Sequence, residues 1–103
     1  MIISGGENVY PSEVETAVGA HPAVQDVAVI GVPDEKWGER VHAVVVLHAG
    51  TQCSADDLAA WSRERLAGYK RPRSFSFIAE SEMPRTATGK ILPPVLRERM
   101  GSV

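Results

Sequence analysis

The chain carries one cysteine, Cys53, so no internal disulfide is possible and stability must come from the core. That scarcity suits a reducing compartment, and the expected location is the cytoplasm. No partner base lies near Cys53 in sequence, so it reads as a small, half-buried residue ahead of a helix rather than a nucleophile. Long hydrophobic runs are missing too. Nothing approaches the ~20 apolar residues of a membrane span, and the first residues show neither the basic region nor the apolar core of a signal peptide. Charge of one sign is also absent. A net charge of −2 over 103 residues argues against nucleic acid or a charged membrane surface as partner, so any basic patch must be local.

Several familiar chemistries are missing as well. The only Gly-Lys pair sits in "PRTATGKIL", residues 84–92. A Walker A loop needs a glycine where Pro84 stands and Ser or Thr where Ile91 stands. There is no G-x-G-x-x-G. His21, His42 and His48 are scattered without metal-binding spacing, so no metal site is expected. No Ser-His-Asp set and no paired carboxylates can be placed.

What is present reads as one domain without repeats. "SGGENVYP" predicts a loop, and Pro11 opens a helix with Glu13 and Glu15 near its positive end. Val14, Ala17 and Val18 fall at helical spacing, and Gly19 and His21-Pro22 stop the run. Val24 to Val32 and Val41 to Leu47 predict two strands, apolar on more than one face and therefore central, joined antiparallel by the long connection "PDEKWGER". Ser54 and Asp57 form a capping box ahead of a helix whose apolar stripe is Leu58, Trp61 and Leu66, ending at Gly68. "SFSFI" predicts a third strand, with Phe75 and Phe77 on one face, and Pro94 opens a last helix through Met100. The expected fold is α+β, a small three-stranded sheet with flanking helices.

Three loops carry the candidate chemistry. In "SGGENVYP" the glycine pair allows close approach to backbone, although a plain turn uses the same residues. In "GYKRPR" Tyr69 adjoins Lys70, Arg71 and Arg73. An aromatic ring beside guanidinium groups can stack a base while the charges hold phosphates, and cations also simply suit a helix C-terminus. In "PRTATGKIL" Lys90 is a compact charge on a flexible stem, either solvated or able to neutralise developing negative charge.

"IISGGENVYPSEVE", "GVPDEKWGERVHAVVV", "LAGYKRPR" and "PRTATGKIL" together resemble, in order and spacing, the C-terminal domain of the adenylate-forming (AMP-forming) acyl-CoA synthetases, in the luciferase-like superfamily. The resemblance covers nearly the whole chain. It implies that residues 1–103 are a single mobile lid domain whose large N-terminal partner, which binds ATP with Mg and the carboxylic acid, lies outside this sequence. The chain would then be an excised fragment or the product of a split gene, inactive alone. The reaction implied is carboxylic acid + ATP + coenzyme A to acyl-CoA + AMP + pyrophosphate, in two steps, with the lid presenting a different face to each. By resemblance Lys90 is the adenylation lysine. Gly5, Gly6 and Glu7 line the pantetheine tunnel, and Tyr69, Arg71 and Arg73 hold the nucleotide end of coenzyme A. A lysine acetyltransferase and deacetylase acting on Lys90 are further implied partners. Pro93-Pro94 replace residues that are commonly basic in the family. A non-enzymatic nucleotide- or CoA-binding module, or a self-assembly module, is the alternative. The acid itself is not specified.

Overall fold

The computed structural model describes residues 1–100. The chain runs β1 (Ile2–Ser4), β2 (Glu7–Val9), α1 (Pro11–Gly19), β3 (Val24–Asp34), β4 (Gly38–Leu47), α2 (Ala55–Arg63), β5 (Ser74–Phe77) and α3 (Pro93–Met100). Short 3-10 turns at Gly68–Lys70 and Glu80–Glu82 flank β5. The α+β class and the three helices match expectation. The sheet has five strands rather than three, ordered β2-β1-β4-β3, with β5 parallel to β4.

Of the two extra strands, β2 lies within the segment that reads as a loop and β1 leads into it, ending at its first residue, Ser4. Ile2 pairs with Val9 and Ser4 with Glu7, so Gly5 and Gly6 form a two-residue hairpin turn. Both have positive φ, +60° and +83°, which a hairpin of type I′ requires and glycine allows without strain. Strands of three residues carry too little alternation to register in a periodicity reading.

β3 and β4 are the antiparallel pair that their β-branched composition predicts, but longer. They pair from Val24 opposite Leu47 to Asp34 opposite Gly38, and the expected long connection shrinks to Glu35, Lys36 and Trp37. The Asp34 carboxylate accepts from the Lys36 and Trp37 amides at 2.9 and 3.0 Å and so builds this turn. A bulge between Val24 and Asp26 shifts the side-chain parity, which lets Val24 join Val27 and Val29 on one face.

Only β4 is central. β3 lies at the sheet's edge, and its apolar character on both faces reflects cover by helices on both sides. Its outward amides are capped by carboxylates: Val29 donates to Glu15 at 2.9 Å and Val27 to Asp26 at 2.8 Å. Burial pushes the Glu15 carboxyl above its ordinary range, against the pull of the Val29 amide. An edge so occupied cannot recruit another strand there.

One core layer joins β1, β2, β3 and β4 to Val14 and Val18 of α1 and Leu58 of α2, with Leu66 beyond it. The Trp61 indole donates to the Ala17 carbonyl at 2.8 Å and fixes α2 on α1. The capping box at Ser54 and Asp57 is formed as its spacing predicts. α2 ends at Arg63, short of Gly68, because Leu66 turns inward to reach the core. The second layer packs Ala28, Ile30, Val32, Val44 and Val46 against Met83 and Leu96 of the C-terminal segment. Phe75 packs on the first layer, while Phe77 is 41% exposed at the sheet margin.

His42 sits in the second layer's plane, 2% exposed. Its Nδ1 and Nε2 are 2.6 and 2.8 Å from the hydroxyls of Ser74 and Ser76 on the parallel neighbour. Burial, with Arg40 nearby, lowers its pKa from 6.5 to about 4. The unfolded chain therefore takes up this proton first, and stability falls as pH drops from about 6.5 to about 4. The loss through this group is about 2–3 kcal/mol. Urea unfolding at pH 7.5 and pH 4.5 should show that loss in the parent and not in His42→Gln. Equal pH dependence in the two proteins would remove His42 as its source.

Candidate functional site

The Lys90 loop is a closed turn rather than a loose tip. Arg85 and Ile91 bridge antiparallel, and the Leu92 amide donates to the Pro84 carbonyl at 2.9 Å. Inside that bridge the Thr86 amide donates to the Lys90 carbonyl at 2.8 Å and the Gly89 amide to the Thr86 carbonyl at 2.9 Å. The Lys90 amide donates to the Thr86 hydroxyl at 3.1 Å. Gly89 has φ +89°, which a side chain would strain. Lys90 itself is exposed and has no ion pair among the described residues. It lines an open cleft of about 620 Å³ between α1 and the loop, together with Ser12, Glu15, Asp26 and Arg85. An ammonium group left without a carboxylate partner on a shaped turn is available to an external anion.

The glycine loop forms a second site. The Gly5 amide donates to the Trp37 carbonyl at 2.9 Å, and a Cβ on Gly5 would lie 2.8 Å from the Trp37 ring. The Arg73 guanidinium lies over the same ring, 3.8 Å from its centroid. Trp37 thus joins Gly5 to Arg73, and β2, which carries Glu7, packs beside the turn that carries Tyr69. Gly6, Glu7, Tyr69 and Arg73 are all exposed.

Arg71 behaves differently from its neighbours. Its Nε donates to the Leu66 carbonyl at 2.9 Å and its Nη2 to the Arg63 carbonyl at 3.0 Å, so it closes the C-terminal end of α2. Lys70 reaches across to Glu13 of α1 at 2.7 Å, and that partner raises the lysine pKa. Of the three cations in "GYKRPR", two are tied to the scaffold and Arg73 presents its charge on an aromatic platform. A shallow hollow of about 320 Å³ between Arg63, Arg71 and Arg73 adjoins it.

The two sites lie on opposite sides of the sheet's central strand. β3 occupies one edge of β4 along its length, and the Lys90 turn is tied to β3 through Arg85 and Asp26. β1 and β5 share the other edge, where the glycine turn, Trp37 and Arg73 gather.

Residues 13–90 match the family model described as the AMP-binding enzyme C-terminal domain. The chain belongs to that family. A feruloyl-CoA synthase from an Amycolatopsis species is 52% identical over 101 residues, which is 98% of this chain and 20% of that protein. A long-chain-fatty-acid–CoA ligase from Mycobacterium tuberculosis is 52% identical over 99 residues, 96% of this chain and 19% of that protein. A solved Mycobacterium tuberculosis fatty acyl CoA synthetase superposes with a TM-score of 0.91 at 48% identity, covering 99% of this domain and 20% of that chain. An o-succinylbenzoate CoA synthetase from Bacillus subtilis, solved with its acyl-adenylate intermediate, superposes at 0.84 with 46% identity over 93% of the domain and 19% of that chain. The chain thus spans about one fifth of the length of these relatives.

Sequence reasoning placed Lys90, Gly5, Gly6, Glu7, Tyr69, Arg71 and Arg73 as site residues and passed over Trp37 and Arg85. Trp37 is the one apolar residue in a polar connection, and that was the signal available for it. Arg85 gave none, because its partner Asp26 lies 59 residues away and Glu80, though near in the chain, reads as one more surface carboxylate. No helix of the described residues is long and apolar enough to cross a membrane.

Proposed function

We propose that this domain is the C-terminal part of a cytoplasmic, ATP-dependent acyl-CoA ligase that forms AMP. In the first step a carboxylate oxygen attacks the α-phosphorus of ATP and pyrophosphate leaves. In the second the sulfur of coenzyme A attacks the acyl carbonyl, its thiol proton passes to solvent, and AMP leaves. ATP with its Mg and the acid bind to the N-terminal domain of the same enzyme. The observation that carries the reading is the separation of two different sites across one small sheet. Lys90 stands unpaired on one side, and Gly5, Trp37 and Arg73 gather on the other. A domain that turns between steps can offer one and then the other.

In the first step the Lys90 ammonium neutralises charge developing between carboxylate and phosphate oxygens, and needs no deprotonation to do so. In the second, the bare backbone at Gly5 and Gly6 lets the pantetheine arm pass. Glu7 borders that path, and Tyr69, Arg73 and the Trp37 platform receive the adenine and phosphates of coenzyme A. Arg71 supports that surface by holding α2 beneath it. Acetylation of Lys90 by a lysine acetyltransferase would remove the charge and stop the first step until a deacetylase restored it. A self-assembly module would need "GYKRPR" directed at a second copy, whereas Lys70 and Arg71 are satisfied within this chain.

The test is reconstitution. Joined to the N-terminal domain of a relative, the chain should support ATP-dependent acyl-CoA formation, while alone it should form none. Thioester formation by the isolated chain would overturn the division of labour between the domains. Failure of the joined protein to make adenylate with any tested carboxylic acid would overturn the ligase reading.

A further inference from the structure

We propose that Arg85 is the positioning residue of the adenylation step: anchored by Asp26 and Glu80, it holds the Gly89 carbonyl and thereby sets where Lys90 presents its ammonium. The proposal rests on the adenylation reading of Lys90 above. The hydrogen bonds among Thr86, Gly89 and Lys90 shape the turn but are all internal to it. Met83 and Ile91 seat the base of the turn on the second core layer, but neither reaches its tip at Gly89. Arg85 supplies the link to the tip. Its Nη2 pairs with the Asp26 carboxylate on β3 and with Glu80 at 2.9 Å, and its Nη1 donates to the Gly89 carbonyl at 3.1 Å. Glu80 is in turn oriented by Gln25, whose amide donates to it at 3.1 Å. The residue immediately before Lys90 is thus moored to the sheet's edge through one planar guanidinium.

A planar fork is suited to this and an ammonium is not. Arg85 engages two carboxylates with one nitrogen and a carbonyl with the other, in a fixed relative geometry. Lysine offers one nitrogen and cannot span both ends. The ion pairs are partly exposed, so they add little to global stability, and their loss need not unfold the domain. What is lost is placement, and misplacing a catalytic charge by about 1 Å costs on the order of 100-fold in rate.

The two half-reactions of the full-length enzyme separate the possibilities. ATP–pyrophosphate exchange reads the first, and thioester formation from supplied acyl-adenylate reads the second. Arg85→Ala should lower kcat for exchange by about 30- to 100-fold, with the KM for ATP and acid within about twofold and thioester formation within about twofold. Arg85→Lys should recover only part of that loss. Asp26→Asn, which keeps size and an accepting oxygen, should lower exchange by about 5- to 10-fold. Added to Arg85→Ala it should lower exchange no further, because the arginine it anchors is already gone and asparagine keeps an oxygen for the Val27 amide. Additive losses, full activity in Arg85→Lys, or equal loss in both half-reactions would each overturn the clamp. Lys90→Ala measured alongside keeps the two ideas apart. If it abolishes exchange while Arg85→Ala leaves exchange intact, the clamp fails and the adenylation reading stands. If exchange survives Lys90→Ala, both fail.

Discussion

Lys90→Ala is expected to lower adenylate formation by about 100- to 1,000-fold while leaving thioester formation from supplied acyl-adenylate within about twofold. The asymmetry follows from charge. In the first step negative charge concentrates between the attacking carboxylate and the phosphate oxygens, and a positioned ammonium stabilises that arrangement more than the separated reactants. In the second, on the proposed reading, the glycine turn and Arg73 would face the chemistry, and Lys90 lies across the sheet from them. Folding should be untouched, since Lys90 is exposed and its loop contacts are made by backbone atoms. Equal urea midpoints for the parent and the variant would check that. Equal loss in both half-reactions would point to damaged docking between domains. Unchanged exchange would return Lys90 to the status of a solvated loop residue.

Gly5→Val should act on the other step and should also weaken the fold. Valine at φ +60° meets a backbone region that β-branched residues avoid, and its Cβ would lie 2.8 Å from the Trp37 ring. Strain and overpacking together should cost roughly 2–4 kcal/mol in urea unfolding. Thioester formation should fall at least tenfold more than adenylate formation, because the displaced ring would disturb both the proposed pantetheine path and the platform under Arg73. Gly6→Ala is the control: φ is also positive there, at +83°, but no atom lies within 4 Å of the new Cβ. It should cost only about 1 kcal/mol. If Gly5→Val and Gly6→Ala weaken the protein equally, contact with Trp37 is not what holds Gly5 as glycine. If Gly5→Val slows both half-reactions equally, the turn does not belong to the second step.

Much of this was legible in the residues. The capping box at Ser54, the β-branched runs of β3 and β4, Pro11 at the first turn of α1 and the helix reaching Met100 are local signals, and local physics formed them. The four loop motifs in order were enough to indicate the family. The β1–β2 hairpin was not legible, because each strand is only three residues long and gains its identity by pairing with partners chosen in three dimensions. β3 read as central because its composition records burial on both faces. Helix cover produces that burial as well as flanking strands do.

The sequence by itself determined the element types, the cores of the two long strands, the left-handed turns at glycine and the presence of a lysine on a short polar loop. Those follow from torsional preference and side-chain period, which act over a few residues. Only the tertiary structure decided that Arg73 and Gly5 share Trp37 and that Arg71 closes a helix while its neighbour Arg73 stays exposed. It alone decided that Asp26 and Glu80 moor the loop of Lys90 through Arg85. The contacts of Trp37 with Gly5 and Arg73, and of Arg85 with Asp26, join residues far apart in the chain, and their energies depend on distances of a few ångströms that no local pattern encodes.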